Sequence, residues 1–154
     1  MRVSGMLENP GRGDHMVYAD PMARAVVRPA VVELLQRFPR GQEFATTVSF
    51  GGDDFTLRAH VRVKRTTPGL AKVSLACWVV NKDTARYLGG NPPREDENFL
   101  PPEGTAVPDA SLTARVMGCL ATRLNPGAVS RPDGDGHLAI DVPTSGQGAP
   151  DVFA

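Results

Sequence analysis

The stretch from Asp54 to Lys64 constrains the fold more than any other. Phe55, Leu57, Ala59, Val61 and Val63 alternate there with Thr56, Arg58, His60, Arg62 and Lys64. Side chains point alternately to opposite sides of a β-strand, so this pattern makes a strand with one core face and one row of cations.

The flanking segments extend the pattern into a sheet. From Gln42 to Phe50, Phe44, Thr46, Val48 and Phe50 alternate with Ala45, Thr47 and Ser49, and Gly51, Gly52, Asp53 and Asp54 supply the turn of an antiparallel hairpin. After a turn at Thr66 to Gly69, the run from Leu70 to Val80 sets Ala71, Val73, Leu75, Cys77 and Val79 against Lys72, Ser74, Ala76 and Trp78. Three sequential strands form a meander, and its second face then gathers Arg58, His60, Arg62, Lys64, Lys72 and Trp78.

Two helices are expected over the apolar face. Asp20 and Pro21 read as a helix start, followed by Met22, Val26, Val27, Ala30, Val31, Leu34, Leu35 and Phe38 at helical spacing. Pro29 either kinks this helix near Ala25 or begins a shorter second one, and Pro39 and Gly41 end it. Asp109 caps a later helix reaching about Leu124, with Leu112, Val116, Met117, Leu120 and Leu124 as its stripe. A short strand near Ala128 to Ser130, a turn at Asp133 to Gly136 and a strand from His137 to Val142 suggest a closing hairpin. The expected fold is α+β: an antiparallel sheet of four to five strands, a meander of three and then a C-terminal hairpin, with two helices on one face. Residues 19–142 form the single domain, 1–18 an N-terminal arm and 143–154 a tail.

Size and composition fit this frame. A chain of 154 residues needs no second domain. With Gly 16 and Pro 14, it contains much loop. Its longest irregular stretch, Gly89 to Pro108, carries Glu95, Asp96, Glu97 and Glu103, with Phe99 and Leu100 as apolar anchors for contact with a partner. Formal net charge is zero, yet residues 1–86 hold 13 Lys/Arg against 8 Asp/Glu and residues 87–154 hold 4 against 9. The two halves can neutralise each other within one subunit or across a contact between copies.

No catalytic motif stands out. There is no phosphate-binding loop, no dinucleotide fingerprint and no signature around a nucleophilic serine or cysteine. His60 reads as a polar residue on a solvated strand face. Cys77 and Cys119 lie in apolar patterns and read as core thiols, while His15, His60 and His137 are too scattered for a zinc site. Neither a metal nor another cofactor is expected. No signal peptide or membrane span is visible, which leads to the expectation of a cytoplasmic origin before any assembly into a virion.

Three classes of function remain. Arms at both ends, the acidic loop and the divided charge favour a non-enzymatic structural protein that self-assembles into a homo-oligomer or larger assembly, on the pattern of phage or virus particle components. The alternatives are a nucleic-acid-binding module using the basic sheet face, with Trp78 stacking a base, and a small ligand-binding or enzymatic α+β domain.

Overall fold

A computed structural model describes residues 17–37, 42–93 and 111–144. The alternating stretch forms β2 (Phe55–Thr67), between β1 (Glu43–Gly51) and β3 (Leu70–Asn81). The β1–β2 register runs without a bulge from Glu43 opposite Lys64 to Gly51 opposite Thr56. The β2–β3 register pairs Leu57 with Val79, Ala59 with Cys77 and Val61 with Leu75, so the apolar residues of both strands share one face. The meander is therefore as the alternation predicts.

Beyond β3 the sheet divides. The first half of β3 pairs antiparallel with β6 (Leu138–Pro143), and its far end with a short β4 (Tyr87–Gly90). A two-residue β5 (Arg131–Pro132) closes the other side, giving the order β1-β2-β3-β6-β5 with β4 beside β3. Two details differ from expectation. The short strand is Arg131–Pro132 rather than residues 128–130, and β4 takes the start of the stretch read as irregular. Gly90 and its neighbours carry no alternation that could have marked a strand; the exposed edge of β3 recruits them.

Where β6 has ended and β4 has not yet begun, the backbone of Cys77 needs other partners. Thr113 Oγ1 accepts its N–H at 2.8 Å, and its carbonyl accepts the Asn91 N–H at 2.8 Å. Gly90 makes the crossing possible. Its φ is +91°, and a Cβ there would lie 2.5 Å from the Cys77 carbonyl oxygen and the Trp78 Cα.

Both helices cover the apolar face. The first, α1, runs as Ala19–Met22, a π-helical segment Ala23–Val27, and Arg28–Arg37. The wider π turn lies just before Pro29, which has no N–H to give to the carbonyl four residues back and whose ring needs space there. Asp20 is not the cap: Tyr18 holds that position without a side-chain bond, and Asp20 sits in the first turn, paired with Arg24 at 2.9 Å. The second helix, α2, spans Ser111–Leu124. Met22, Val27, Val31 and Leu35 of α1 and Val116, Met117, Leu120 and Leu124 of α2 are buried against Leu57, Val61, Val73, Leu75 and Ile140. Tyr18 packs on Phe55 with ring centroids 5.4 Å apart and on Phe50 at 6.1 Å. Pro39, Gly41, Asp109, the arm before residue 17 and the tail after residue 144 lie outside the described residues.

Candidate functional site

The second face of the sheet is where the sequence concentrates charge, and the β5–β6 connection folds across it. That turn depends on three consecutive residues with positive φ, Gly134 at 75°, Asp135 at 51° and Gly136 at 77°. It is closed by the Asp133 N–H to the His137 carbonyl at 2.9 Å and the His137 N–H to the Gly134 carbonyl at 3.0 Å. Gly136 presses close to the chain leaving β4, for a Cβ there would lie 2.8 Å from the Asn91 Cβ.

The turn delivers Asp133 into the cationic row. Its carboxylate accepts from the Ser74 hydroxyl at 2.5 Å, from Arg62 at 3.1 Å and from Lys72 at 3.2 Å, and Arg62 also donates to its carbonyl at 3.2 Å. The three charged side chains are only 19–24% exposed, so these are charge-assisted bonds shielded from water. Burial pushes the Asp133 carboxyl upward, but hydrogen bonds from Ser74 and Lys72 and the charges of Lys72 and Arg62 outweigh it and hold the group below its usual range.

Beside this network lies a buried histidine pair. His60 and His137 are 6% and 2% exposed, and His60 Nδ1 lies 2.9 Å from His137 Nε2. His137 Nδ1 faces the carbonyls of Gly134 and Asp135 at 3.1 and 3.0 Å. Carbonyls only accept, so that nitrogen carries the proton, Nε2 is the acceptor, and His60 Nδ1 donates to it. Burial first, then the charges of Arg62 and His60, lower the pKa of His137, against the opposing effect of the two carbonyls.

This geometry has a consequence for stability. The folded-state pKa of His137 lies below its ordinary 6.5, so the unfolded chain takes up the proton first. The contribution is complete above that value, is lost as pH falls from it toward the folded-state pKa, and levels off below. Urea midpoints at about pH 7.5 and 5.5 should show the wild type losing stability toward acid, and H137Q losing less. Equal slopes for the two proteins would contradict the assignment.

The residues expected to form a binding surface therefore divide. Arg62, Lys72 and His60 meet partners within the chain. Trp78 is fully buried, with the Arg58 guanidinium 5.8 Å from its ring centroid, and Arg58 also donates to Ser49 Oγ at 3.2 Å. Lys64 is exposed, opposite Glu43 on β1 and Lys72 on β3. His60 is thus not on a solvated face, because the turn before β6 covers it, and Trp78 does not present its ring for stacking. Asp133, Ser74 and His137 complete the site, and no local sequence pattern marks them. Only the acidic balance of the C-terminal half hinted that a carboxylate would answer the cations. Glu95, Asp96, Glu97, Phe99 and Leu100 lie outside the described residues.

Groups with nucleophilic or ligating chemistry are held in the fold. Burial raises the Cys77 thiol to about 12 against the Thr113 hydrogen bond, which leaves it a packed thiol rather than a thiolate. Both cysteines are free. Among the described residues no His, Cys, Asp or Glu cluster could hold a metal ion, and no helix is long and apolar enough to cross a membrane.

The outer edge of β1 differs in kind. Among the described residues no strand pairs with it. The Gly52 N–H bonds to the Phe55 carbonyl at 2.8 Å, and with the unbroken register this assigns Phe50, Val48, Thr46 and Phe44 as the residues bonding to β2. Glu43, Ala45, Thr47, Ser49 and Gly51 accordingly aim their N–H and C=O groups outward. From Phe44 to Gly51 this edge has no lysine, proline, bulge or other charge, the features that normally blunt such an edge.

Fold and site together define a two-layer α+β domain, covered on its polar face by its own hairpin and, among the described residues, unpaired along one strand edge. No protein family model matches the chain, and no curated protein and no solved structure matches it either.

Proposed function

We propose that this chain is a non-enzymatic structural protein that self-assembles, of the kind that builds phage or virus particles. The observation that carries this reading is the outer edge of β1, a nine-residue strand that no other strand among the described residues pairs with and whose outward backbone groups can be satisfied by another strand. The second face supports it from the other side. Its acid, its histidines and two of its cations are engaged in bonds that close the fold, so the groups available for general acid–base work or phosphate contact are largely committed to structure. The division of charge along the chain is met at least once inside the subunit, where Asp133 of the acidic half joins Arg62 and Lys72 of the basic half.

Size-exclusion chromatography with light scattering tests the proposal. A mass above 16.4 kDa that rises with protein concentration is expected. A strict monomer at high concentration would overturn it.

A further inference from the structure

We infer that β1 is an interface with a second copy of this chain, pairing antiparallel with its own counterpart about a two-fold axis at Thr47. This inference rests on the assembly reading and specifies its contact. The occupant is argued from the strand itself. Read outward from Thr47, β1 is nearly palindromic: Thr46 and Val48, then Ala45 and Ser49, then Phe44 and Phe50. Antiparallel pairing centred on Thr47 therefore places each residue opposite one of like shape. Phe44 meets Phe50 of the other copy on the helix-bearing face, Ala45 meets Ser49 on the polar face, and Thr46 meets Val48. The charge at Glu43 falls opposite Gly51, so the two carboxylates stand at opposite ends of the interface and do not repel. A C2 contact of this kind is isologous and closes on itself.

The backbone agrees with that centre. Thr47 belongs to the outward-facing set, as do its partners Ala45 with Ser49 and Glu43 with Gly51. Every pair within this outward-facing set is thus a hydrogen-bonding pair, and the contact forms about ten backbone hydrogen bonds. Shifting the register by one residue would set outward groups against inward ones. A shift by two would lose the Phe44–Phe50 pairing and leave one aromatic at each end unmatched. Pairing extends the sheet continuously through both subunits, with both pairs of helices on one side.

Amide exchange on the wild-type protein gives the first test. Protection of Ala45, Thr47, Ser49 and Gly51 should rise with protein concentration, while Thr46, Val48 and Phe50, bonded to β2, stay protected throughout. The second test is Thr47→Pro. Its lost N–H does not serve β2, and proline is tolerated on an edge strand whose N–H faces outward. Two hydrogen bonds at the axis disappear, so dissociation should become at least about 30-fold easier, with an unchanged far-ultraviolet circular dichroism spectrum. Thr47→Lys, which opposes two like charges at the axis, should act in the same direction and covers the case in which the proline variant misfolds. An oligomer that persists in both variants, with the outward amides unprotected in the wild type, would overturn the β1 contact and leave self-assembly standing. A wild type that is monomeric at every concentration would overturn both.

Discussion

Replacing Asp133 with alanine is expected to destabilise the protein by about 3 kcal/mol, because it removes one carboxylate and leaves two largely buried cations facing each other. Arg62 and Lys72 are each within 3.2 Å of that carboxylate and about one-fifth exposed, so water replaces the lost partner only in part. Urea denaturation measures the effect. D133N should lie between wild type and D133A, since the amide still accepts from Ser74 but carries no charge. In a double-mutant cycle, K72M should recover part of the loss in the D133A background but cost stability in the wild type. A D133A midpoint within experimental error of the wild type would contradict this account.

The same variant asks what the cations are for. If the row were held for phosphates, releasing Arg62 and Lys72 from Asp133 would add about two phosphate contacts and steepen the salt dependence of oligonucleotide binding. The expected result is no gain in affinity for single-stranded DNA, because His60 and Trp78 remain buried beside them.

Trp78→Ala is expected to cost about 4 kcal/mol. Its side chain is fully buried although it belongs to the polar face of the sheet, pairing with Arg58 on one side and Gly90 on the other. Alanine would leave a void at the junction where β3 exchanges one partner strand for another, and would remove the ring beneath the Arg58 guanidinium. W78F should cost about half as much, since it keeps an aromatic face but not the full volume. Thermal and urea unfolding would both report the loss. A W78A midpoint within experimental error of the wild type would contradict this packing role.

Much of the architecture was legible because the signals behind it are local. Alternation from Phe55 to Val63 determined the strand and its apolar face, since period two allows no other arrangement of those side chains. The adjoining runs determined the meander, because glycine-rich turns leave antiparallel neighbours as the shortest connection. Helical spacing from Met22 to Leu35 and from Leu112 to Leu124 placed both helices on the core. The candidate site was less legible. The cations could be read, but not the partner that Arg62 and Lys72 meet.

Tertiary structure alone decided how the polar face is used. Asp133 is 71 residues from Arg62 and 59 from Ser74, and His137 is 77 from His60. No periodicity reaches across such separations; they arise because β6 pairs with β3 and three positive-φ residues turn the chain back over the sheet. The burial of Trp78 and the recruitment of β4 have the same origin, since both depend on which strand lies beside β3. The sequence by itself determined which side chains share each face of the basic strand. Only the folded chain decided that Arg62 and Lys72 would be neutralised from within, while the outer edge of β1 kept its backbone groups directed outward: the first depends on long-range pairing, the second on β1 being the last of the described strands in the sheet order.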